Sequence, residues 1–202
     1  PLLDLSSVHK TLKSCLPFLS ELQHSQALAG DASNRRYYRL HLSKAPVASL
    51  ILMQLADPEG FKASEEALSG VASDIAELPF INVLNHLQSQ GVHVPKLYFY
   101  DVSAGLLYLE DFGDMTLAQA CKDAPTNVIE RWYGQAIDQL VHLHGRASQP
   151  SASPCLAFSR SFDTSLYLWG FYHFLEYCIV FREGRPLFVE DEAPRRQEFS
   201  RE

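Results

Sequence analysis

The chain has 202 residues, of which 47% are apolar and 20% charged, and this balance is typical of a soluble globular protein. Its formal net charge of −7 at pH 7 argues against nucleic acid or an anionic membrane surface as the main partner. The sequence contains no run near the roughly 18 consecutive apolar residues that a membrane span needs. Its four cysteines form no CxxC pair, and free thiols of this kind predict a reducing, cytoplasmic environment.

The first part of the chain is predicted to be a helix followed by strands. Residues 5–22 carry apolar side chains at helical spacing, with Pro17 within them. From about residue 26 the period changes to two, so that neighbouring side chains over residues 37–42 face opposite ways. A nearly continuous apolar run over residues 49–55 is expected to form a central strand.

A second helix and two further strands are predicted in the middle of the chain. The helix covers residues 80–90, and its apolar stripe consists of Phe80, Leu84 and Leu87. Two short strands over residues 96–101 and 106–110 flank a turn. We expect all the strands to form one antiparallel sheet, with this helix packed on one face and its stripe buried.

After Gly113 the pattern becomes helical. One helix is predicted over residues 128–144, with Asn127 as its N-cap and Gly145 as the residue at which it stops. Another helix is predicted over residues 163–181. A strand-rich part is therefore followed by a helical part, which is an α+β organisation.

The most informative segment is a small-residue turn followed by two arginines. The arginines are Arg35 and Arg36, and the turn contains Gly30, Asp31, Ala32 and Ser33. Small residues let backbone N–H groups approach a ligand, and amides that face one way form an anion-binding concavity. Arginine adds planar, charge-assisted donors for phosphate. The segment is therefore interpreted as a phosphate cradle that opens a β-hairpin, and an ordinary hairpin turn with solvated arginines is the alternative.

This turn and four later segments, in their order along the chain, resemble the aminoglycoside-phosphotransferase and choline-kinase-like family of small-molecule kinases. The later segments cover residues 50–55, 79–84, 91–97 and 107–114. The similarity is strongest to the branch that contains the anomeric N-acetylmuramate/N-acetylglucosamine kinases. The resemblance implies a protein-kinase-like α+β fold, with an antiparallel N-lobe over residues 1–111. The first helices of an incomplete helical C-lobe would follow over residues 112–202.

The resemblance also implies where a nucleotide is bound. The phosphates of ATP are expected under the first hairpin, and Met53 occupies the strand position at which such kinases usually carry a lysine. The adenine ring is expected at the connector after the last strand, where backbone groups face the base and Gly113 supplies the bend. This connector consists of Glu110, Asp111, Phe112, Gly113 and Asp114. Its carboxylates also allow a metal site or a solvated acidic turn as alternatives. The implied cofactors are ATP and Mg²⁺, with the metal ligands outside this chain.

The catalytic loop of the family is not found in this sequence. The family's His-Gly-Asp motif is missing: the only His-Gly pair, His144 and Gly145, is followed by Arg146 and lies at the end of a helix where the family has a structural Leu-His pair. No asparagine occurs after Asn127, and the catalytic loop is expected beyond this chain. We therefore expect an amino-terminal fragment of an ATP-dependent phosphotransferase for a sugar or amino-sugar hydroxyl, inactive as the 202-residue chain.

Two other interpretations stay open. A non-catalytic nucleotide-binding or interaction module on the same scaffold is the first, and an unrelated α+β domain with a coincidental hairpin is the second. For the phosphotransferase, the expected partners are a nucleotide and a small-molecule acceptor, and neither nucleic acid nor a membrane.

Overall fold

The structure, a computed structural model, describes residues 3–18, 20–29, 35–55, 77–150, 153–159, 163–174, 178 and 181–184. Its strands are β1 (Glu21–Ala27), β2 (Arg36–Ser43), β3 (Ser49–Gln54), β4 (Leu97–Asp101) and β5 (Leu106–Glu110). Its α-helices are α1 (Leu5–Ser14), α2 (Pro79–Ser89), α3 (Leu117–Cys121), α4 (Thr126–His142), α5 (Thr164–His173) and α6 (Phe181–Glu183). A short 3-10 helix covers Leu156–Ser159.

The strands of the described part pair antiparallel in one sheet, in the order β1-β2-β3-β5-β4. This confirms the predicted sheet. The predicted helix over residues 5–22 is too long, because α1 ends at Ser14 and β1 begins at Glu21. β1 consists mostly of exposed polar residues, and it is extended because it pairs with β2 at the edge of the sheet. Strand pairing therefore overrides a helical pattern that Pro17 already interrupts.

Each face of the sheet carries an apolar cluster and a helix. The cluster on the α1 face consists of Val8, Leu12, Leu40, Leu42, Leu50, Leu52, Leu106 and Tyr108. The cluster on the α2 face consists of Met53, Leu55, Leu78, Ile81, Leu107 and Leu109. Apolar burial contributes about 25 cal/mol for each Å² removed from water, so these two clusters hold the strand-rich part together.

Helix α2 meets the sheet only partly through its predicted stripe. Leu84 is buried, as predicted, but the buried members of the cluster on the sheet are Ile81 and the preceding Leu78. Phe80 is half-buried and packs against this cluster. Leu87 is also half-buried, and it lines a cavity.

The two predicted ends of the longest helix are wrong. Helix α4 begins at Thr126 with Pro125 at the N-cap position, so Asn127 lies inside the helix. The carbonyl of Pro125 accepts the N–H groups of Val128 and Ile129 at 2.9 and 3.1 Å, and proline provides no side-chain cap at this position. The helix also does not stop at Gly145, because it widens into a π-helical turn over Leu143–Ala147 that includes this glycine.

The remaining helical part is described incompletely. The predicted helix over residues 163–181 corresponds to α5 and α6, and residues 175–177, 179 and 180 between them lie outside the described part. The apolar stripe of α4 is about half exposed at Tyr133, Ile137, Leu140 and Val141. Among the helices of the described ranges, none has the length and apolar character that crossing a membrane demands.

Candidate functional site

The two arginines after the small-residue turn have different surroundings. Arg36 begins β2 and is exposed, whereas Arg35 is half-buried and lines a cavity beside α2. Because side chains alternate along a strand, Arg35 shares the α2 face of the sheet with Tyr37 and Arg39. The predicted turn residues Gly30, Asp31, Ala32 and Ser33 lie outside the described residues.

The cavity beside Arg35 has a volume of about 480 Å³ and a mainly apolar lining. One wall comes from α2, through Pro79, Phe80, Val83, Leu84 and Leu87. The other walls include Val94, Pro95, Leu156 and Ala157. Arg35 is the one charged residue among the described residues of this lining. An anion at the start of β2 would therefore contact the Arg35 guanidinium at the edge of an otherwise apolar surface.

Arg39, on the same face as Arg35, forms a double ion pair with the connector. Its Nε and Nη2 atoms donate to the two carboxylate oxygens of Asp111, at 2.6 and 3.1 Å. Its Nη1 and Nη2 atoms donate to the two carboxylate oxygens of Asp114, at 2.7 and 2.8 Å. One guanidinium therefore bridges two carboxylates in the bidentate geometry that arginine favours. The side chains of Arg39 and Asp111 are only 10% and 5% exposed.

Asp111 accepts two further hydrogen bonds that fix the start of the connector. They come from the hydroxyl of Ser49 at 2.7 Å and from the N–H of Gly113 at 2.8 Å. Gly113 has a φ of +76°, a left-handed conformation that glycine adopts without strain, and this is the bend expected from the sequence. The Asp111 carboxylate is occupied in holding the conformation of the connector. Any contact of Asp111 with a ligand would therefore be made by its backbone.

The other connector residues have separate roles. Glu110 ends β5: its N–H donates to the carbonyl of Lys96 at 2.9 Å, and its carboxylate accepts the N–H of Lys96 at 3.1 Å. The side chain of Phe112 is 63% exposed. The carboxylates therefore bind an arginine and a backbone amide. Across the described residues, no group of three or more His, Cys, Asp or Glu is arranged to hold a metal ion.

Ion pairing lowers the pKa of both aspartates. Burial has the largest single effect on Asp111 and would raise its pKa, but the hydrogen bonds from Arg39, Ser49 and Gly113 together outweigh it. For Asp114, the hydrogen bond from Arg39 is the main cause of the lowered pKa. The same bonds, from Asp114 first and then Asp111, raise the pKa of Arg39. All three groups are therefore charged at neutral pH.

We expect this network to make stability fall as the pH drops below about 4. A carboxylate with a lowered pKa in the folded state contributes stability above its unfolded pKa, which is near 3.8 for aspartate. That contribution is lost as the pH falls through the lower, folded-state value. Urea unfolding at a series of pH values between 7 and 3 measures the loss. The loss should be smaller in Asp111→Asn, which cannot titrate at this position, and identical pH profiles would contradict the assignment.

Met53 lies apart from the surface between Arg35 and Arg39. It was predicted to contact the nucleotide, but its side chain is fully buried in the cluster under α2. A methionine has no charge to solvate, so Leu78 and Ile81 can cover it completely. The half-buried residues on this face are instead Tyr37, which pairs with Met53, and Ile51, which pairs with Arg39.

Two polar residues missed by the sequence analysis join α2 to the helical part. Asn82 and His86 are both buried, one helical turn apart. The side-chain amide of Asn82 donates to the carbonyl of Pro154 at 3.1 Å and accepts the N–H of Leu156 at 2.8 Å. The ring Nε2 of His86 bonds to the carbonyl of Ala147 at 2.7 Å, and that of His142 bonds to the carbonyl of Gln90 at 2.6 Å. The signal in the sequence that could have identified them is the spacing of Asn82 and His86, which puts two polar side chains on the same side of the helix.

Known proteins are similar to most of this chain. A sequence model described as "Phosphotransferase enzyme family" matches residues 24–193. The chain is also 32% identical over 137 residues to the N-acetylmuramate/N-acetylglucosamine kinase of Caulobacter vibrioides. That match covers 59% of this chain and 35% of the relative, so the aligned region is much shorter than the relative itself.

Proposed function

Because the chain belongs to the phosphotransferase enzyme family and has its protein-kinase-like α+β fold, we propose that it forms the nucleotide-binding part of an ATP-dependent small-molecule kinase. The acceptor in this proposal is a hydroxyl group of a sugar or amino sugar. The similarity to the N-acetylmuramate/N-acetylglucosamine kinase of Caulobacter vibrioides supports that acceptor class. The proposal includes a cytoplasmic location, which fits the free cysteines of the described part.

One observation carries the nucleotide site: Arg35 and the connector lie at opposite ends of the same sheet face. Between them the face offers the half-buried side chains of Tyr37 and Ile51. Arg35 and Arg39 are four residue steps apart, about 13 Å at the usual rise per residue of a strand. An extended nucleoside triphosphate can bridge this distance, with its base at the connector and its phosphates near Arg35.

The carboxylates of the connector do not fit the magnesium ion that such a reaction uses. Magnesium takes oxygen ligands, chiefly carboxylates and waters, but Asp111 and Asp114 already bind Arg39. Glu110 is turned to the amide of Lys96. We therefore propose that the metal ligands lie outside this chain, and that its own residues bind and orient the nucleotide.

A second candidate function is a nucleotide-binding module without catalysis. The sequence favours it in one respect, since it contains no His-Gly-Asp motif: its only His-Gly pair, His144 and Gly145, is followed by Arg146. The exposed side chain of Arg146 lies in the π-helical turn at the end of α4. Both candidates share the nucleotide site, and in both the 202-residue chain alone is predicted to transfer no phosphoryl group.

We expect Arg35→Ala to weaken the binding of ATP by about ten- to a hundredfold, as for the loss of a charge-assisted hydrogen bond worth roughly 1.5–3 kcal/mol. Adenosine should bind almost as before, because it carries no charge for Arg35 to neutralise. Isothermal titration calorimetry of the 202-residue chain with both ligands measures the difference.

Arg36→Ala is the matched control for this experiment. It removes the same charge one residue further along the chain, from an exposed side chain that lies outside the cavity. Its ATP affinity should stay close to that of the unchanged protein. The phosphate site proposed at Arg35 is wrong if neither variant separates ATP from adenosine, and the nucleotide site as a whole is wrong if the unchanged chain binds neither ligand.

A further inference from the structure

We infer that Arg39 is a positioning residue, which holds the connector in the one conformation that lets its backbone face the base of a nucleotide. The inference rests on the proposed function, because it concerns the same nucleotide site. It assigns to Arg39 no contact with the ligand. Arg39 acts through Asp111 and Asp114 on the two residues between them.

Each carboxylate oxygen of Asp111 and Asp114 accepts at least one hydrogen bond. Arg39 makes four hydrogen bonds of 2.6 to 3.1 Å, two to each carboxylate. Ser49 and the amide of Gly113 add one bond each to Asp111. A lysine ammonium could not span both carboxylates in this way, because only the guanidinium presents its donors in a fixed planar fork. The connector is therefore attached to the sheet at both of its ends.

Phe112 is the residue that this arrangement presents. It lies between the bonded Asp111 and the turned Gly113, whose own N–H is occupied by Asp111. Among the described residues, none forms a hydrogen bond with the backbone N–H of Phe112. The backbone N–H of Phe112 is therefore fixed in position by its neighbours and can donate a hydrogen bond to a ligand. A backbone group fixed before the ligand arrives lowers the entropic cost of binding.

The two carboxylates that bind Arg39 differ in exposure, because the side chain of Asp111 is buried and that of Asp114 is exposed. This difference determines which substitutions can test the inference. The Asp114 side chain is 78% exposed, so Asp114→Ala removes half of the network without leaving a buried cavity. Arg39→Lys keeps the positive charge but cannot keep both bidentate contacts. Lys44→Ala serves as the control, since it removes a well-exposed ion pair with Glu21 at another place.

The experiment measures how the 202-residue chain binds ATP, adenosine and tripolyphosphate. If the connector adopts its binding conformation for only a third to a tenth of the time, affinity falls by about three- to tenfold. We expect Asp114→Ala and Arg39→Lys to lower the affinities for ATP and for adenosine by this same factor. The affinity for tripolyphosphate should stay unchanged. Lys44→Ala should alter none of the three affinities. A loss confined to the phosphate-bearing ligands would overturn the inference.

Hydrogen exchange of the Gly113 amide, measured without ligand, separates positioning from direct contact. In the unchanged protein this amide is protected by its bond to Asp111, and we expect at least a severalfold faster exchange in Asp114→Ala and in Arg39→Lys. Unchanged exchange in both variants would overturn the inference, even if the nucleotide affinities fell. If the unchanged chain binds no nucleotide, the proposed function fails, while the exchange rate still decides whether Arg39 holds the connector.

Discussion

Replacing Arg39 with leucine should lower the free energy of unfolding by about 3–5 kcal/mol at pH 7, the cost of leaving a buried charge without its partner. Asp111 would keep the hydrogen bonds from Ser49 and Gly113 but lose its counter-charge in a position that is 5% exposed. Urea unfolding of the 202-residue chain measures the change. The difference from the unchanged protein should shrink towards pH 3, where Asp111 is increasingly protonated in the variant.

The ion pair between Lys44 and Glu21 gives a matched comparison. Its N–O distance of 2.9 Å is close to those of Arg39, but the two side chains are 73% and 52% exposed. Water and salt screen such a pair, so Lys44→Ala should cause little measurable change in unfolding. Similar losses in Arg39→Leu and Lys44→Ala would show that burial of the Arg39 network does not decide its contribution.

Replacing Met53 with lysine should also lower the free energy of unfolding by about 3–5 kcal/mol, because it places an ammonium group among apolar side chains. Met53 is fully buried, and it belongs to the cluster on the α2 face with Leu55, Leu78, Ile81, Leu107 and Leu109. The kinases that this chain resembles usually carry a lysine at this strand position. Such a side chain is compatible with the fold only where its ammonium group reaches water or an anion.

Met53→Leu is the control for volume and shape. A hydrophobic substitution of similar size usually costs less than about 1.5 kcal/mol, so the two variants separate the effect of charge from that of repacking. The opposite outcome is also informative. A lysine variant that stays as stable as the unchanged protein and binds ATP more tightly would mean that residue 53 faces the phosphates.

Local patterns of side chains predicted the sheet and most of its helices. The alternation after Arg35 predicted β2, and the apolar run over residues 49–55 predicted β3, because burial on a sheet face has a period that the sequence displays. The strand Glu21–Ala27 shows no such pattern, since most of its side chains are exposed and only its backbone pairing with β2 makes it a strand. Pairing partners far apart in the sequence leave no local trace.

The candidate site was predictable only in its outline. The sequence indicated Arg35 and the connector separately, through the small-residue turn and the bend at Gly113. It did not indicate that Arg39 binds Asp111, because 72 positions separate the two and their charges taken singly resemble ordinary surface charges. The chain reversals that bring β2 and the end of β5 together, with β3 between them, create that contact.

The hydrogen bonds of Asn82, His86 and His142 give the contact between α2 and the helical part a directional character that its contact with the strands lacks. Hydrogen bonds weaken steeply when they are bent, whereas apolar contacts have no preferred direction. The orientation of α2 against the helical part is therefore set by bond geometry. Its contact with the strands, through Ile81, depends only on the apolar area that is buried.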